Sequence, residues 1–377
     1  MTQNSVLDFM ALAAPGVRAL TPYTPGKPIA ELEREYGVSD IIKLASNENP
    51  LGPSPRVLEA IRAALADIAL YPDGAGFELK AALAHKHAVA PQCITLGNGS
   101  NDVLDLVARV FLTPGTEAVY DEHAFAVYPI ATQAVGATGR VARAHDGSRG
   151  PCYGHDLAAL RVAVNANTRV VFIANPNNPT GTWLPAVELE AFIRDLPAQV
   201  IVVVDEAYFE YVEEADYPDA SRWLDLYPNL IVTRTFSKAY ALAGLRAGYA
   251  LSHPKVADLL NRVRQPFNLN SVAQVAACVA LDDADHLAAA VRVNRDGMRQ
   301  LTDACTALGL DYIPSVGNFV CVDVGRSGAE VYEGLLREGV IVRPVANYGL
   351  PRHLRVTVGT TEQNARFIAA VSRVLGR

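Results

Sequence analysis

The chain has 377 residues, half of them hydrophobic and 19% charged, which is enough to bury large cores in two domains or in one large domain with an appendage. A formal net charge of −7 without any lysine- or arginine-rich run argues against a nucleic-acid surface. No apolar run approaches the ~20 residues needed to cross a bilayer, and the five scattered cysteines (Cys93, Cys152, Cys278, Cys305, Cys321) form neither a CxxC pair nor a disulfide framework, so no metal and a cytoplasmic setting are expected.

Near the start, the short apolar patch Phe9-Met10-Ala11-Leu12-Ala13 has no basic residue ahead of it and makes a poor signal peptide. Thr21-Pro22-Tyr23-Thr24-Pro25-Gly26-Lys27-Pro28 reads as an extended segment, and residues 1–40 are expected to form an arm joining the C-terminal part of the chain. From about residue 93 to 252, β-rich runs alternate with helical patterns: Ile94-Thr95-Leu96, Ala118-Val119-Tyr120, Val170-Val171-Phe172-Ile173-Ala174, Val200-Ile201-Val202-Val203-Val204, Leu230-Ile231-Val232-Thr233 and Gly248-Tyr249-Ala250-Leu251. Several are apolar throughout, the mark of strands covered on both faces. The pattern predicts an α/β fold with a mostly parallel central sheet in a large domain over residues 41–268. After Gln265-Pro266-Phe267-Asn268, helical sequence runs to about Leu308. Strands are then expected at 318–323 and 354–358 with helices after Ser327 and Thr361, a smaller α+β domain over residues 269–377.

Polar residues collect where the strands of the large domain end, the place where open α/β sheets bind ligands. Gly97-Asn98-Gly99-Ser100-Asn101-Asp102 follows the first strand and opens a helix whose Val103, Leu104, Val107, Val110 and Phe111 fall at helical spacing, so its start can hold an anion. Asn175-Pro176-Asn177-Asn178-Pro179 follows Ala174, Asp205-Glu206-Ala207-Tyr208 follows Val204, and Thr235-Phe236-Ser237-Lys238 with Arg246 follows Thr233. Singly these are a turn, a helix cap and an exposed lysine. In this order they interlock around pyridoxal 5'-phosphate. The Lys238 amine can form a Schiff base with a carbonyl cofactor, Ser237 and Arg246 can bind its phosphate together with Ser100 and Asn101, and a buried Asp205 can keep a pyridine nitrogen protonated. Asn175 and Tyr208 can donate to the ring's phenolate oxygen, and Phe125 in His123-Ala124-Phe125-Ala126-Val127-Tyr128 offers a face to stack on the ring.

On these motifs, together with Leu44-Ala45-Ser46-Asn47-Glu48-Asn49-Pro50, Tyr71-Pro72-Asp73-Gly74 and Leu354-Arg355-Val356-Thr357-Val358-Gly359-Thr360, the chain resembles the fold-type I, aspartate-aminotransferase-like family of PLP-dependent enzymes, and more narrowly the histidinol-phosphate aminotransferases. The resemblance implies catalysis by Lys238, Asp205 and Tyr208. It implies a homodimer in which Tyr71 reaches the phosphate of the neighbouring subunit, and a substrate pocket formed by Tyr23, Asn47, Phe267, Arg343 and Arg355, with Arg355 taking a substrate carboxylate. It implies small-molecule partners, an amino donor and a 2-oxo acid acceptor: L-histidinol phosphate would pass its amino group to 2-oxoglutarate, giving imidazole acetol phosphate and L-glutamate in histidine biosynthesis.

Two positions depart from the family pattern. Phe125 stands where a tyrosine commonly stacks on the ring, and Phe267 stands where some members offer the substrate phosphate a tyrosine from the neighbouring subunit. A phenylalanine cannot hydrogen-bond phosphate, so an aromatic aminotransferase acting on phenylalanine or tyrosine is the alternative expectation. A decarboxylase of the same fold and a non-catalytic PLP-binding regulator stand further off, the latter because no helix-turn-helix extension precedes the fold.

Overall fold

A computed structural model describes residues 7–23 and 25–377; residues 1–6 of the expected arm and Thr24 of the proline-rich stretch lie outside them. Seven strands make the principal sheet, in the spatial order Ile94–Gly97, Gly248–Ser252, Leu230–Thr235, Ile201–Asp205, Thr168–Ala174, Glu117–Asp121 and Thr138–Ala142. Neighbours are parallel from Leu230–Thr235 to Thr138–Ala142, while Gly248–Ser252 is antiparallel to both strands beside it, so that one strand alone is reversed.

The continuous apolar runs follow from having two cores. Ile201 and Val203 face one core with Phe172, Ile231 and Tyr128, while Val202 and Val204 face the other with Ile173, Val232 and Phe236. Thr138–Ala142 carries no such signal in its sequence, because it lies at the sheet edge with four of its five residues exposed.

A second, antiparallel sheet has the order Arg343–Val345, Leu350–Thr357, Phe319–Asp323, Asp311–Ile313, and its core includes residues from the helices Ala284–Ala307, Gly328–Arg337 and Thr361–Leu375. Ile42–Lys43 pairs in parallel with Val340–Ile341, and Leu32 and Ala45 pack with Leu336 and Ile341, which ties the N-terminal stretch to this sheet. The helix Ser271–Leu281, expected with the C-terminal part, instead sends Ala273, Ala276, Ala277 and Ala280 into the core of the principal sheet beside Val57, Leu79 and Leu83. Its alanine face allows close approach to the helices Pro55–Ala64 and Phe77–His87, so the change of core falls near Asp282–Asp283 and not after residue 268. Among the described residues no helix is long and apolar enough to cross a membrane.

One buried charge cluster braces the carboxyl edge of the principal sheet. Arg234 donates to Glu206 Oε2 from Nε at 2.9 Å and from Nη2 at 2.7 Å, donates to Asp219 Oδ1 at 2.6 Å, and lies 3.5 Å from the centre of the Phe209 ring. Arg234 and Glu206 are both buried. Removing the guanidinium would leave a carboxylate in the core without its counter-charge. Arg234→Met is therefore expected to cost about 3–5 kcal/mol of unfolding free energy, and a second change, Glu206→Leu, to recover a substantial part of it. Denaturant unfolding of both proteins checks this; a loss below about 1 kcal/mol would show that the pair is dispensable.

Candidate active site

The strands ending at Gly97, Ala174, Asp205 and Thr235 release their loops at one edge of the sheet, over a cavity that the second sheet and the 42–50 segment close from the other side. Lys238, Asp205, Tyr208, Ser237, Arg246, Ser100, Asn101, Phe125, Asn47, Tyr23, Arg343 and Arg355 all line it. Twelve positions spread over most of the sequence thus meet in one place.

The anion end is built from backbone and charge. Gly99, at φ +80°, precedes the helix Ser100–Phe111, and no side chain caps that helix, so the first N–H groups and the positive end of its dipole are left for a ligand. Gly99 also has to be glycine, because φ +80° with ψ 163° is a conformation open essentially to glycine alone. Ser237 and Arg246 come to the same end from the loop after Leu230–Thr235.

At the other end Asp205 is buried, and it accepts a hydrogen bond on each oxygen, from Tyr128 Oη to Oδ2 at 2.9 Å and from Thr233 Oγ1 to Oδ1 at 2.9 Å. Thr233 reaches it because the two residues are register partners in adjacent parallel strands. Burial pushes the Asp205 carboxyl above its ordinary range, against the pull of Tyr128, Thr233, the Ala207 N–H and the Lys238 ammonium.

Lys238 lies between these ends. Its Nζ donates to the Ser46 carbonyl at 3.0 Å and sits 5.7 Å from the centre of the Tyr208 ring. Part of the side chain opens on the cavity, yet the amine is deep enough that burial, followed by the charge of Arg355, pulls it from the ordinary lysine value down to about 7. Burial pushes the Tyr208 phenol up to about 12, so it remains a neutral donor; its oxygen accepts from Asn47 Nδ2 at 2.9 Å. Asn47 in turn is fixed by Thr357, whose Oγ1 accepts from the Asn47 N–H at 2.9 Å, and by Asn318, whose Nδ2 donates to the Asn47 carbonyl at 3.0 Å.

Two buried arginines also line the cavity. Arg343 and Arg355 are register partners on neighbouring antiparallel strands and are only 8% and 5% exposed. Arg355 donates to neutral oxygens, Asn178 Oδ1 at 2.5 Å and the Ala45 carbonyl at 2.7 Å, and its Nε has no partner; Arg343 lies 5.5 Å from the centre of the Tyr23 ring. Neither arginine takes part in an ion pair among the described residues.

Three sequence-predicted residues stand apart. The Asn175 side chain is buried against Leu184, accepting from its N–H at 2.9 Å and donating to its carbonyl at 3.3 Å, and it does not line the cavity. Tyr71 is 83% exposed and stacks on Phe267 of the same chain, with ring centres 4.7 Å apart; neither ring lines the cavity. Conversely, Tyr128, Thr233 and Asn178 serve the site without having been singled out. Asn178 was within view as the fourth residue of the Asn-Pro-Asn-Asn turn, whereas the part played by Tyr128 depends on a contact 77 residues away in the chain.

The residues fit pyridoxal phosphate on the structure's own terms: an uncapped helix start with Arg246 for the phosphate, a buried carboxylate for a cationic nitrogen, a near-neutral amine between them, and Phe125 on the wall. Residues 39–371 match the family model "Aminotransferase class I and II". Histidinol-phosphate aminotransferase 2 of Methylococcus capsulatus is 62% identical, covering 98% of this chain and 100% of the relative, and its namesake in Pseudomonas aeruginosa is 61% identical over 98% and 99%. Among solved structures, histidinol-phosphate aminotransferase from Sinorhizobium meliloti in complex with pyridoxal-5'-phosphate superposes with a TM-score of 0.88 at 30% identity, covering 97% of each chain. A Thermus thermophilus aspartate aminotransferase mutant superposes with a TM-score of 0.83 at 26% identity, covering 96% of this chain and 99% of that one. Fold, cavity and likeness agree: the chain belongs to the class I and II aminotransferases and, within them, to the histidinol-phosphate aminotransferase family.

Proposed function

We propose that the chain is a PLP-dependent aminotransferase that passes the amino group of L-histidinol phosphate to 2-oxoglutarate, giving imidazole acetol phosphate and L-glutamate. The observation that carries the substrate choice is the pair of buried arginines, Arg343 and Arg355, facing one cavity without a carboxylate partner. Two like charges on opposed strand positions destabilise an empty pocket and are relieved by a ligand with a strongly negative distal group. A phosphate ester meets that demand in one half-reaction, and the dicarboxylates glutamate and 2-oxoglutarate meet it in the other. The neutral ring of phenylalanine does not, and relatives at 62% and 61% identity bear the histidinol-phosphate name, so the aromatic alternative suggested by Phe267 is not favoured.

When bound, pyridoxal phosphate supplies an electrophilic carbonyl and a conjugated ring that accepts the electron pair released as the substrate's Cα–H bond breaks. Ser100, Asn101, Ser237 and Arg246 would hold its phosphate. Asp205 holds the ring nitrogen, and Tyr208, with its oxygen occupied by Asn47, keeps its own hydrogen to donate to the ring's oxygen. Lys238 Nζ, as a free neutral amine, would take the proton from the substrate carbon and, as the resulting ammonium, would be the group that gives it back. Arg355, anchored by Asn178 and Ala45, binds the substrate anion with Arg343 and Tyr23.

The working unit we propose is a homodimer in the cytoplasm, where the five free cysteines stay reduced. Tyr71 and Phe267, outside their own cavity, would complete the site of the second copy. In support, Leu65, Ile68, Leu70, Tyr71 and Phe77 are all more than half exposed over a short span of chain.

Specificity constants for histidinol phosphate, phenylalanine and tyrosine, each with 2-oxoglutarate, test the substrate. Histidinol phosphate is expected to lead; a larger constant for phenylalanine would overturn the assignment. Arg343→Met should lower kcat/KM for histidinol phosphate roughly 10- to 100-fold, the worth of one hydrogen bond to a charged group, and change the phenylalanine value far less.

The Lys238 amine gives a pH test. A carbonyl is attacked by the neutral amine, so the rate at which apoprotein takes up pyridoxal phosphate should rise through pH about 7 and level off above it. Arg355→Met removes a charge that lowers the amine's pKa and should move the midpoint to higher pH. Stopped-flow absorbance over pH 5–10 reads both; a midpoint near that of an ordinary lysine, 10.5, would refute the buried amine.

A further inference from the structure

Tyr128 closes the stretch His123–Tyr128, of which the sequence singled out Phe125 alone, yet it is the buried group most directly engaged with Asp205. It is 1% exposed, its hydroxyl donates to Asp205 Oδ2 at 2.9 Å, and its ring is locked by stacking on Phe172 with centres 4.8 Å apart and planes 7° from parallel. The edge of the same ring system meets Phe125, at 5.9 Å and 88°, so the residue on the cavity wall and the carboxylate at its far end rest on one side chain.

We propose that Tyr128 is a positioning residue for the reaction: its hydroxyl, acting with that of Thr233, keeps Asp205 ionised and in a single orientation, and thereby governs how fully the cofactor's ring nitrogen stays protonated. The inference rests on the assignment of Asp205 to that nitrogen. Four donors or charges act on the carboxylate: the Tyr128 and Thr233 hydroxyls, the Ala207 N–H and the Lys238 ammonium, with the Tyr208 phenol nearby and neutral. Lys238 supports the carboxylate only while it holds a proton, and it must be neutral before it can take one from carbon, so its support comes and goes with each transfer. The two hydroxyls do not vary in this way. Burial and the adjacent Asp205 push the Tyr128 phenol well above its ordinary value, so it stays a donor across the working pH range. One hydroxyl on each oxygen also fixes the plane of the carboxylate, which a single donor would leave free to turn.

Tyr128→Phe in the full-length holoenzyme tests this, because it removes one oxygen and keeps the stack on Phe172. The protein is reconstituted with ¹⁵N-labelled pyridoxal phosphate and the ring-nitrogen chemical shift is followed against pH, beside kcat and KM. We expect the shift to move toward the unprotonated value at neutral pH and kcat to fall about tenfold with KM for the amino donor nearly unchanged, the size of effect one hydrogen bond to a charged group carries. Thr233→Val should act in the same direction on the other oxygen, and it decides the matter if Tyr128→Phe does not fold. Asp205→Asn separates the two levels of inference. If it moves the ¹⁵N shift while Tyr128→Phe and Thr233→Val leave it at the wild-type value, Tyr128 merely packs and the proposal is overturned, though Asp205 keeps its assignment. If Asp205→Asn itself leaves the shift unchanged, the assignment of Asp205 falls and the proposal with it.

Discussion

Lys238 and Asp205 are both taken out of water at the carboxyl edge of the parallel sheet, and the same desolvation must yield opposite results. Burial drives each toward its neutral form. For the lysine that is the useful form, and the charges of Arg355 and Arg246 reinforce it against the opposite pull of Glu48 and Asp205. For the aspartate it is the useless form, and the surroundings resist it with two hydroxyls, a backbone N–H and the lysine's own charge. Burial shifts both groups toward neutrality, and the neighbours of the aspartate oppose that shift.

The sheet makes this possible by alternation. Asp205 and Thr233 point to the face that carries Tyr128 and Phe172, and the next residue on each chain segment, Glu206 and Arg234, points to the other face. One pair of adjacent strand ends therefore supplies the cavity carboxylate with its hydroxyl on one side and a buried ion pair on the other. A shift of either strand by one residue would exchange the two and put Arg234 where Thr233 supports Asp205.

Much of this could be read from the sequence, because fully buried parallel strands announce themselves as continuous apolar runs and their ends as polar clusters. The six strands from Ile94–Gly97 to Gly248–Ser252 that cover both faces were legible for that reason, and so was the helix start at Ser100. The seventh, Thr138–Ala142, was not, since an exposed edge strand has no apolar pattern to show. Ser271–Leu281 was legible as a helix but not in its allegiance, because an alanine-rich face fits either core and only the tertiary partners decide. In the site, groups that act from a strand end could be found by position. Tyr128 could not, because an aromatic in the first turn of a helix whose ring packs in the core looks like ordinary core until its hydroxyl meets Asp205. Asn175 shows the converse: the right residue at the right strand end, with its amide turned to Leu184.

Arg355 joins the substrate side of the cavity to the chemistry. Its guanidinium is held by Asn178 and Ala45 with one N–H left unpartnered, and its charge ranks next to burial among the influences lowering the Lys238 amine. An anion bound by Arg355, as proposed, would cancel part of that charge and weaken the influence that lowers the Lys238 amine. A neutral amine is needed to release and re-form the lysine's bond, and a stronger base is needed to take a proton from carbon. Under the proposed roles, coupling the amine to a cation that the substrate neutralises would allow one residue to serve both demands in turn.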